Sequence, residues 1–152
     1  MRRIIWLLIL IVPLIASSCA SIKSPISQFN KYEINSIGLS KASLTFYFDV
    51  ENPNDIPMGI KDINYSVALD GESVFAGTDG GFDIQAREKK TVKFPVEISY
   101  SNLMGQAFNV AKKFMTREGS VKYRIDGDLK VVDNVGFVSQ VPINAEGDIK
   151  LF

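Results

Sequence analysis

Side chains that could carry out chemistry are scarce in this 152-residue chain. Histidine is absent and cysteine occurs once, at Cys19. This removes the commonest general base near neutral pH, the commonest metal ligand and any disulfide within the chain. Two closely spaced carboxylate pairs remain, Asp49 with Glu51 and Asp126 with Asp128. On a regular strand each pair points to one face, where it could support acid/base chemistry or bind calcium.

Neither carboxylate pair is accompanied by a nucleophile or by a further cluster of ligands. We therefore interpret the pairs as exposed charged faces or, for the pair around Gly127, as part of a turn. The sequence predicts a protein that is not an enzyme, with no catalytic residue, no cofactor and no metal site.

The single cysteine ends a stretch with the features of an export signal, "MRRIIWLLILIVPLIASSC". Two arginines precede an apolar run that is shorter than the roughly 20 residues of a membrane-spanning helix, and small residues follow it. "IASSC" resembles the lipobox of bacterial lipoproteins, although Ala16 stands where a larger aliphatic residue is usual. Cleavage by the ordinary signal peptidase is one alternative, and a thiol that is buried or lies in an uncleaved anchor is another.

This arrangement divides the chain into three predicted parts. Residues 1–18 are a lipoprotein signal peptide, Cys19 is lipidated at the start of a tether over 19–30, and residues 31–152 form one folded domain. The tether is polar and small, as in short linkers.

The charge of the chain bears on its partners. Its 17 basic and 17 acidic side chains leave no net field to attract nucleic acid. Membrane attachment would then depend on the acyl chains at Cys19. No acidic cluster follows the cysteine, which favours a bacterial cell-envelope protein anchored in the outer membrane and facing the periplasm. We expect the membrane, and protein partners or clients, as its partners.

The predicted domain alternates apolar and polar residues over most of its length, which is typical of half-buried strands. About seven strands are expected, without alternating helices, so the fold class is an all-β antiparallel sandwich of two sheets. The pair Asp70-Gly71 predicts a hairpin, and Pro95 an edge strand or a bulge. A bulge or bend is expected at Gly127, and a break in the last strand near Gly147.

One segment, about residues 101–118, has the spacing of an amphipathic helix. Ser101 or Asn102 could cap its start and Gly119 could close its end, while basic residues near the end suit the helix dipole. We interpret its apolar stripe as core, with a ligand groove as the alternative. The stripe consists of Leu103, Ala107, Ala111 and Met115, with Met104, Phe108 and Phe114 close to the same side.

A turn with asparagine on each side of proline, Asn52-Pro53-Asn54, follows the strand "LTFYFDVE". Proline fixes its own φ and biases Asn52 towards extended conformations, and asparagine side chains bond to nearby backbone groups. We interpret this turn as a structural corner, with ligand recognition as the alternative.

The order of these segments resembles the WHy (water stress and hypersensitive response) domain of atypical, type 2 late embryogenesis abundant proteins, which are LEA14-like. The resemblance covers about residues 31–152. It rests on "YEINSIGLSKASLTFYFDVENPNDIPMGIKDINYSVALDGESVFAG", on "IQAREKKTVKFPVEISY" and on the later segments "VKYRIDGDLKV" and "VPINAEGDIKL". It implies a fibronectin-like or immunoglobulin-like β-sandwich with a helix, an association with desiccation, heat or cold, and protection of other proteins. It implies no catalytic residues.

Two functions follow. The first is a noncatalytic, lipid-anchored envelope protein that binds or protects other macromolecules under stress. The second is an adhesion or assembly module that binds one partner through a strand edge or end loops. For the second, the places to look are the predicted loop at Gly77–Gly81 and the edge with Pro95.

Overall fold

The computed structural model describes residues 22–103, 107–132, 136 and 138–151. The predicted signal peptide and Cys19 lie outside this part of the chain. The described residues form seven strands and one α-helix: β1 Ile26–Ile37, β2 Lys41–Glu51, β3 Met58–Leu69, β4 Glu72–Ile84, β5 Lys89–Ser99, α1 Ala107–Thr116, β6 Ser120–Val132 and β7 Val138–Lys150. None of the helices in these ranges is long and apolar enough to cross a membrane.

The strands form two antiparallel sheets. One sheet has the order β1-β2-β5 and the other the order β4-β3-β6-β7. Alternate side chains of each strand point between the sheets, so that Phe46 and Phe48 of β2 face the same core as Ile125 and Leu129 of β6, all buried. The predicted all-β sandwich of about seven strands with one helix is confirmed.

Aromatic rings make a continuous series of contacts across this core. The centroids of Phe29 and Phe48 lie 5.5 Å apart, those of Phe48 and Phe94 5.1 Å, those of Phe94 and Tyr65 4.9 Å, and those of Tyr65 and Phe75 5.3 Å. Phe94 belongs to the three-stranded sheet and Tyr65 to the four-stranded sheet. Their edge-to-face contact therefore ties the two sheets together and adds about 0.5–1.5 kcal/mol beyond the burial of area.

The sandwich is closed on one side by a tyrosine. The Tyr32 hydroxyl of β1 donates to the carbonyl of Asp148 at 3.2 Å and accepts from the N–H of Lys150 at 3.3 Å. Since both partners are on β7, this side chain bridges the edges of the two sheets.

Strand β1 begins earlier than the sequence pattern indicated. Residues 26–30, predicted as part of the tether, pair with β2 from Ile26 opposite Glu51 onwards. The register shifts between Phe29 and Lys31, and this bulge interrupts the alternation of apolar and polar residues. The tether prediction is therefore too long, because a bulged strand does not show the period of two that we used to find strands.

The helix is shorter than predicted. Its described part spans Ala107–Thr116, and Tyr100–Asn102 form a 3₁₀ turn followed by the extended Leu103, so Ser101 and Asn102 do not begin the α-helix. Its buried face comprises Ala107, Val110, Ala111 and Phe114, which join the core, whereas Phe108 and Met115 are exposed. A stripe at a constant spacing of four drifts around a helix of 3.6 residues per turn, so the buried positions alternate between spacings of three and four. The core interpretation is confirmed for the buried members, and Met104 lies outside the described residues.

The helix ends one residue before a left-handed position that an arginine occupies. Arg117 has φ +55°, and its N–H donates to Phe114 O at 3.3 Å, while the N–H of Glu118 donates to Lys113 O at 3.4 Å. These two bonds form a Schellman motif. The predicted closing residue Gly119 also has a positive φ, +75°, and leads into β6.

Of three predictions about turns and sheet edges, the structure confirms two and contradicts one. Asp70 and Gly71 have φ values of 50° and 88° in a two-residue hairpin, as predicted. Pro95 lies on β5 at the edge of its sheet, also as predicted. The segment Gly77–Gly81, predicted as a loop, lies inside edge strand β4. Gly81 serves close packing there, because a Cβ at this position would collide with the carbonyl oxygen of Ile60.

The predicted bulge or bend at Gly127 and the predicted break near Gly147 are wrong. Both residues lie in continuous strands, and β6 pairs with β7 without a register shift. A Cβ at Gly127 would collide with the carbonyl oxygen of Asn64, and one at Gly147 would lie 2.9 Å from the ring of Tyr123. These glycines make room for neighbours and do not turn the chain.

We expect Gly127→Ala to destabilise the domain by about 1–3 kcal/mol, because backbone atoms of β3 must move to accept the methyl group. Urea unfolding measures this loss. The matched control is Gly80→Ala, in an exposed part of β4 where a Cβ would meet nothing within 4 Å. Equal midpoints for the two variants would contradict the proposed reason for Gly127.

Candidate functional site: the asparagine corner

The residues between β2 and β3 carry the chain from one sheet to the other. The pairing of strands cannot continue through this segment, so its backbone N–H and C=O groups need other hydrogen-bond partners. Asn52 is fully buried and Asn54 is 8% exposed, which is unusual for side chains that each carry two donors and an acceptor. We call residues 52–57 the corner.

The side chain of Asn52 is bonded on both of its polar atoms. Its Nδ2 donates to Ile56 O at 2.8 Å and to Gln85 O at 3.0 Å, and its Oδ1 accepts from the N–H of Asn54 at 3.0 Å. Its backbone N–H donates to Glu88 O at 2.9 Å. Asn52 thus joins the corner to the turn between β4 and β5.

Asn54 holds a third segment. Its Nδ2 donates to Lys23 O at 2.7 Å, and its Oδ1 accepts from the N–H of Lys23 at 2.8 Å. The same Nδ2 lies 3.0 Å from Asn52 Oδ1, and the carbonyl of Asn54 accepts from the N–H of Arg87 at 3.0 Å. The amide therefore pairs with both backbone groups of Lys23, as a neighbouring strand would.

An ion pair lies at the rim of the corner. Arg87 donates to both carboxylate oxygens of Asp55, at 2.7 and 3.1 Å, and this hydrogen bonding lowers the pKa of Asp55. Both side chains are exposed, at 64% for Arg87 and 81% for Asp55, so the pair contributes little to stability. The buried amides hold the corner together.

The two residues of the first carboxylate pair, Asp49 and Glu51, do not share partners. Asp49 accepts hydrogen bonds from Asn30 Nδ2 at 3.0 Å and Thr91 Oγ1 at 2.8 Å, and Lys89 Nζ lies 3.1 Å away. These bonds lower the pKa of Asp49 to about 2, and the hydrogen bond from Asn30 makes the largest contribution to this shift. Glu51 is exposed and is not among these partners. The bonds of Asp49 thus link β1, β2 and β5 across the outer face of the three-stranded sheet.

The second carboxylate pair lies on the outer face of the four-stranded sheet. Asp126 and Asp128 flank Gly127 on the regular strand β6, so the alternative of a turn is wrong. Asp126 is opposite Asn144, and Asp128 is opposite Pro142. Among the described residues, no three Asp, Glu, His or Cys side chains are grouped so that they could hold a metal ion.

Sequence reasoning placed Asn52, Pro53 and Asn54 together but missed their partners Lys23, Gln85 and Glu88. Asn54 and Lys23 are 31 positions apart, and Asn52 and Gln85 are 33 apart. No local pattern marks them, because the corner bonds to the carbonyl or N–H of these residues, which every residue type carries. The buried amides of Asn52 and Asn54 are uncharged and are not nucleophiles, so their chemistry is that of a cross-link between three segments.

We expect Asn52→Ala to cost about 2–4 kcal/mol of stability, since it leaves two buried carbonyls and one N–H without their partner. The free energy of unfolding in urea measures this cost. Asn144→Ala removes an exposed asparagine of β7 and should change stability by no more than about 0.5 kcal/mol. A loss at Asn52 no larger than that of the control would show that the corner does not depend on this amide.

Asp49→Asn should lower stability at neutral pH, and the difference should vanish in acid. The pKa of Asp49 is about 2 in the folded state, below its ordinary value of 3.8. The carboxylate therefore stabilises the fold above about pH 4, and this contribution is lost as the pH falls towards 2. Urea midpoints at pH 7 and pH 2 test this, with Glu51→Gln as the control. A gap that stays constant between the two pH values would contradict it.

Three solved structures share the fold of the chain. A putative late embryogenesis abundant protein is 18% identical with a TM-score of 0.65, and the match covers 98% of this chain and 83% of that chain. A protein from Arabidopsis thaliana is 20% identical with a TM-score of 0.64, covering 90% and 87%. One from Archaeoglobus fulgidus is 14% identical with a TM-score of 0.53, covering 86% and 97%. At these identities the likeness concerns the fold alone.

Comparison with curated proteins gave no significant match. The family model described as late embryogenesis abundant protein matches residues 47–147, which include the corner and parts of both sheets. The family predicted from the sequence is confirmed. Because the match spans more than half of the chain, the chain belongs to the LEA_2 family of late embryogenesis abundant proteins, a generally noncatalytic family whose membership indicates a stress-related domain.

Proposed function

We propose that this protein is a noncatalytic, lipid-anchored protein of the bacterial cell envelope whose sandwich domain binds and protects other macromolecules during desiccation or temperature stress. The observation that carries the proposal is the family match over residues 47–147. The chemistry of the described residues supports the noncatalytic part, since their buried polar side chains, those of Thr45, Asn52 and Asn54, are all neutral and hydrogen-bonded.

The lipid anchor is supported by the sequence alone. An apolar run with two preceding arginines and a following "IASSC" fits export and lipidation at Cys19. Loss of the signal would also remove Arg2 and Arg3, which leaves slightly more acidic than basic groups. Such a domain has no general attraction to an anionic membrane, so the acyl chains would supply its attachment. We place it at the outer membrane, facing the periplasm.

A second candidate is an assembly module for one partner, and the exposed apolar side chains favour it. Leu39, in the turn between β1 and β2, is 93% exposed, while Phe108 and Met115 of α1 are 54% and 41% exposed. All three lie at the end of the sandwich opposite to the corner, because β1 ends, β5 ends and α1 follows there. Apolar side chains exposed at one end fit binding by end loops.

Substitution of the cysteine tests the anchor. We expect native protein to carry the mass of attached acyl chains and to sediment with membranes, whereas Cys19→Ser should be soluble or unprocessed. Ser18→Ala, which keeps a small residue beside the cysteine, should behave as the wild type. An unmodified wild type cleaved at an ordinary signal peptidase site would remove the lipid anchor from the proposal.

Protection is tested with enzymes that lose activity on drying or freezing. We expect the purified domain to preserve the activity of several unrelated enzymes better than an equal mass of an unrelated β-sandwich protein. No benefit over that control would contradict the protective role. Retrieval of one envelope protein, abolished by Phe108→Ser but not by Lys112→Ser, would favour the assembly module instead.

A further inference from the structure

The entry of the chain into the domain is fixed before the first strand begins. Asn54 pairs with both the N–H and the carbonyl of Lys23, at 2.8 and 2.7 Å, and is itself 8% exposed. Pro25, two residues later, is buried. We call the pairing of Asn54 with Lys23 the clamp. The buried Asn54 amide donates one hydrogen bond to Lys23 and accepts one from it, and these two bonds fix the direction of the backbone at Lys23.

The clamp lies at one end of the sandwich. Besides Lys23, that end carries the corner and the turn between β4 and β5, which the backbone bond from Arg87 to Asn54 joins. We call this the corner end. Strands β1 and β2 have 11 or 12 residues and extend about 3.3 Å per residue, so the opposite end is about 40 Å away.

The clamp limits how far the domain can move from a lipid on Cys19. A fully extended chain covers at most about 3.6 Å per residue, so Cys19 and Lys23 are at most about 14 Å apart. Without the clamp, the chain would be free from Cys19 to Ile26, where β1 begins, and could reach about 25 Å. The clamp therefore shortens the free chain by three residues.

We infer that the corner end of the anchored protein lies against the lipid headgroups, and that the end with α1 points away from the membrane. This orientation rests on the lipidation of Cys19 proposed above. It follows from the clamp and from the length of chain between Cys19 and Lys23.

The chemistry of the corner end fits a lipid surface. Ile22 and Ile26, on either side of the clamp, are 42% and 47% exposed, and apolar side chains at such a place enter the boundary between headgroups and acyl chains. Arg87 and Lys89 at the same end are paired with Asp55 and Asp49. Each of these two pairs is neutral as a unit, so neither adds a net charge that faces the headgroups.

The orientation has a consequence for partners. Leu39, Phe108 and Met115 are exposed at the end opposite to the clamp. An anchored domain in this orientation presents these side chains about 40 Å above the lipid, where macromolecules of the surrounding compartment can reach them.

The test uses lipidated full-length protein in vesicles of phosphatidylethanolamine and phosphatidylglycerol that contain a lipid with a nitroxide on its headgroup. With Cys19 acylated, an introduced cysteine is the only thiol and takes one fluorophore. Asp55→Cys labels the corner end and Lys112→Cys labels α1. We expect quenching at position 55 to exceed quenching at position 112 at least about threefold, since the positions differ in height by about a strand length.

Two variants break the clamp. Asn54→Ala removes the amide, and Lys23→Pro removes the donated N–H from a residue outside the sheets, so the second variant keeps the test valid if the first fails to fold. In both we expect the quenching ratio to fall towards one, while Asn144→Ala should keep the wild-type ratio. Hydrogen exchange at Lys23 should be slow in the wild type and fast in Asn54→Ala.

The outcomes separate this inference from the proposed function. An intact mass without acyl chains would overturn the lipid anchor and the orientation together. A lipidated wild type with equal quenching at the two positions would overturn the orientation alone and leave the anchor in place. A ratio unchanged in both Asn54→Ala and Lys23→Pro would overturn the clamp as the cause of the orientation.

Discussion

The junction of the two sheets depends on one buried amide. When the backbone leaves β2 at Glu51, its polar groups lose the partners of the ladder, and in a buried place each unpaired group costs about 1–3 kcal/mol. The side chain of Asn52 replaces those partners with bonds to Ile56, Gln85 and Asn54. Because these bonds reach both the corner and the turn after β4, they help to fix the position of β3 relative to β2.

The core then adds its own cross-connections between the same sheets. Phe94 of β5 contacts Tyr65 of β3 edge to face, and the Tyr65 hydroxyl donates to the carbonyl of Pro95 at 2.9 Å. Burial raises the pKa of Tyr65 to about 12, so this donor keeps its proton throughout the physiological range. At the other side of the sandwich, Tyr32 bonds to two backbone groups of β7. Each tyrosine thus combines a ring packed in or against the core with hydrogen bonding to the opposite sheet.

The fold could be predicted from the sequence because alternation identifies the inward face of each strand. The apolar members of the alternating segments are buried, as in Phe46 and Phe48, Tyr65 and Val67, and Val121 and Tyr123. The hairpin at Asp70-Gly71 was also readable, since a positive φ selects glycine at that position. These signals are local, so one sequence suffices to see them.

What could not be predicted has nonlocal causes. Gly127 was interpreted as a bulge or bend and Gly147 as a break, but the reason for each is an atom on a neighbouring strand, Asn64 O and the ring of Tyr123. Asn30 lies at a bulge that hides the start of β1. The corner was visible as Asn-Pro-Asn, but its partners in the turn after β4 and near the start of the domain use only backbone atoms. The same sequence paired in another register would show the same local pattern, so the pattern does not identify these distant contacts.

The neutrality of the two buried amides of the corner has a consequence for a cell that loses water. As water leaves, dissolved ions become concentrated, and at about 1 M salt the distance over which charges act falls to about 3 Å. Exposed ion pairs such as Arg87 with Asp55 weaken under these conditions. The amides of Asn52 and Asn54 carry no charge, are buried and do not titrate. A high salt concentration therefore does not weaken, by screening, the hydrogen bonds of these amides, which join the two sheets.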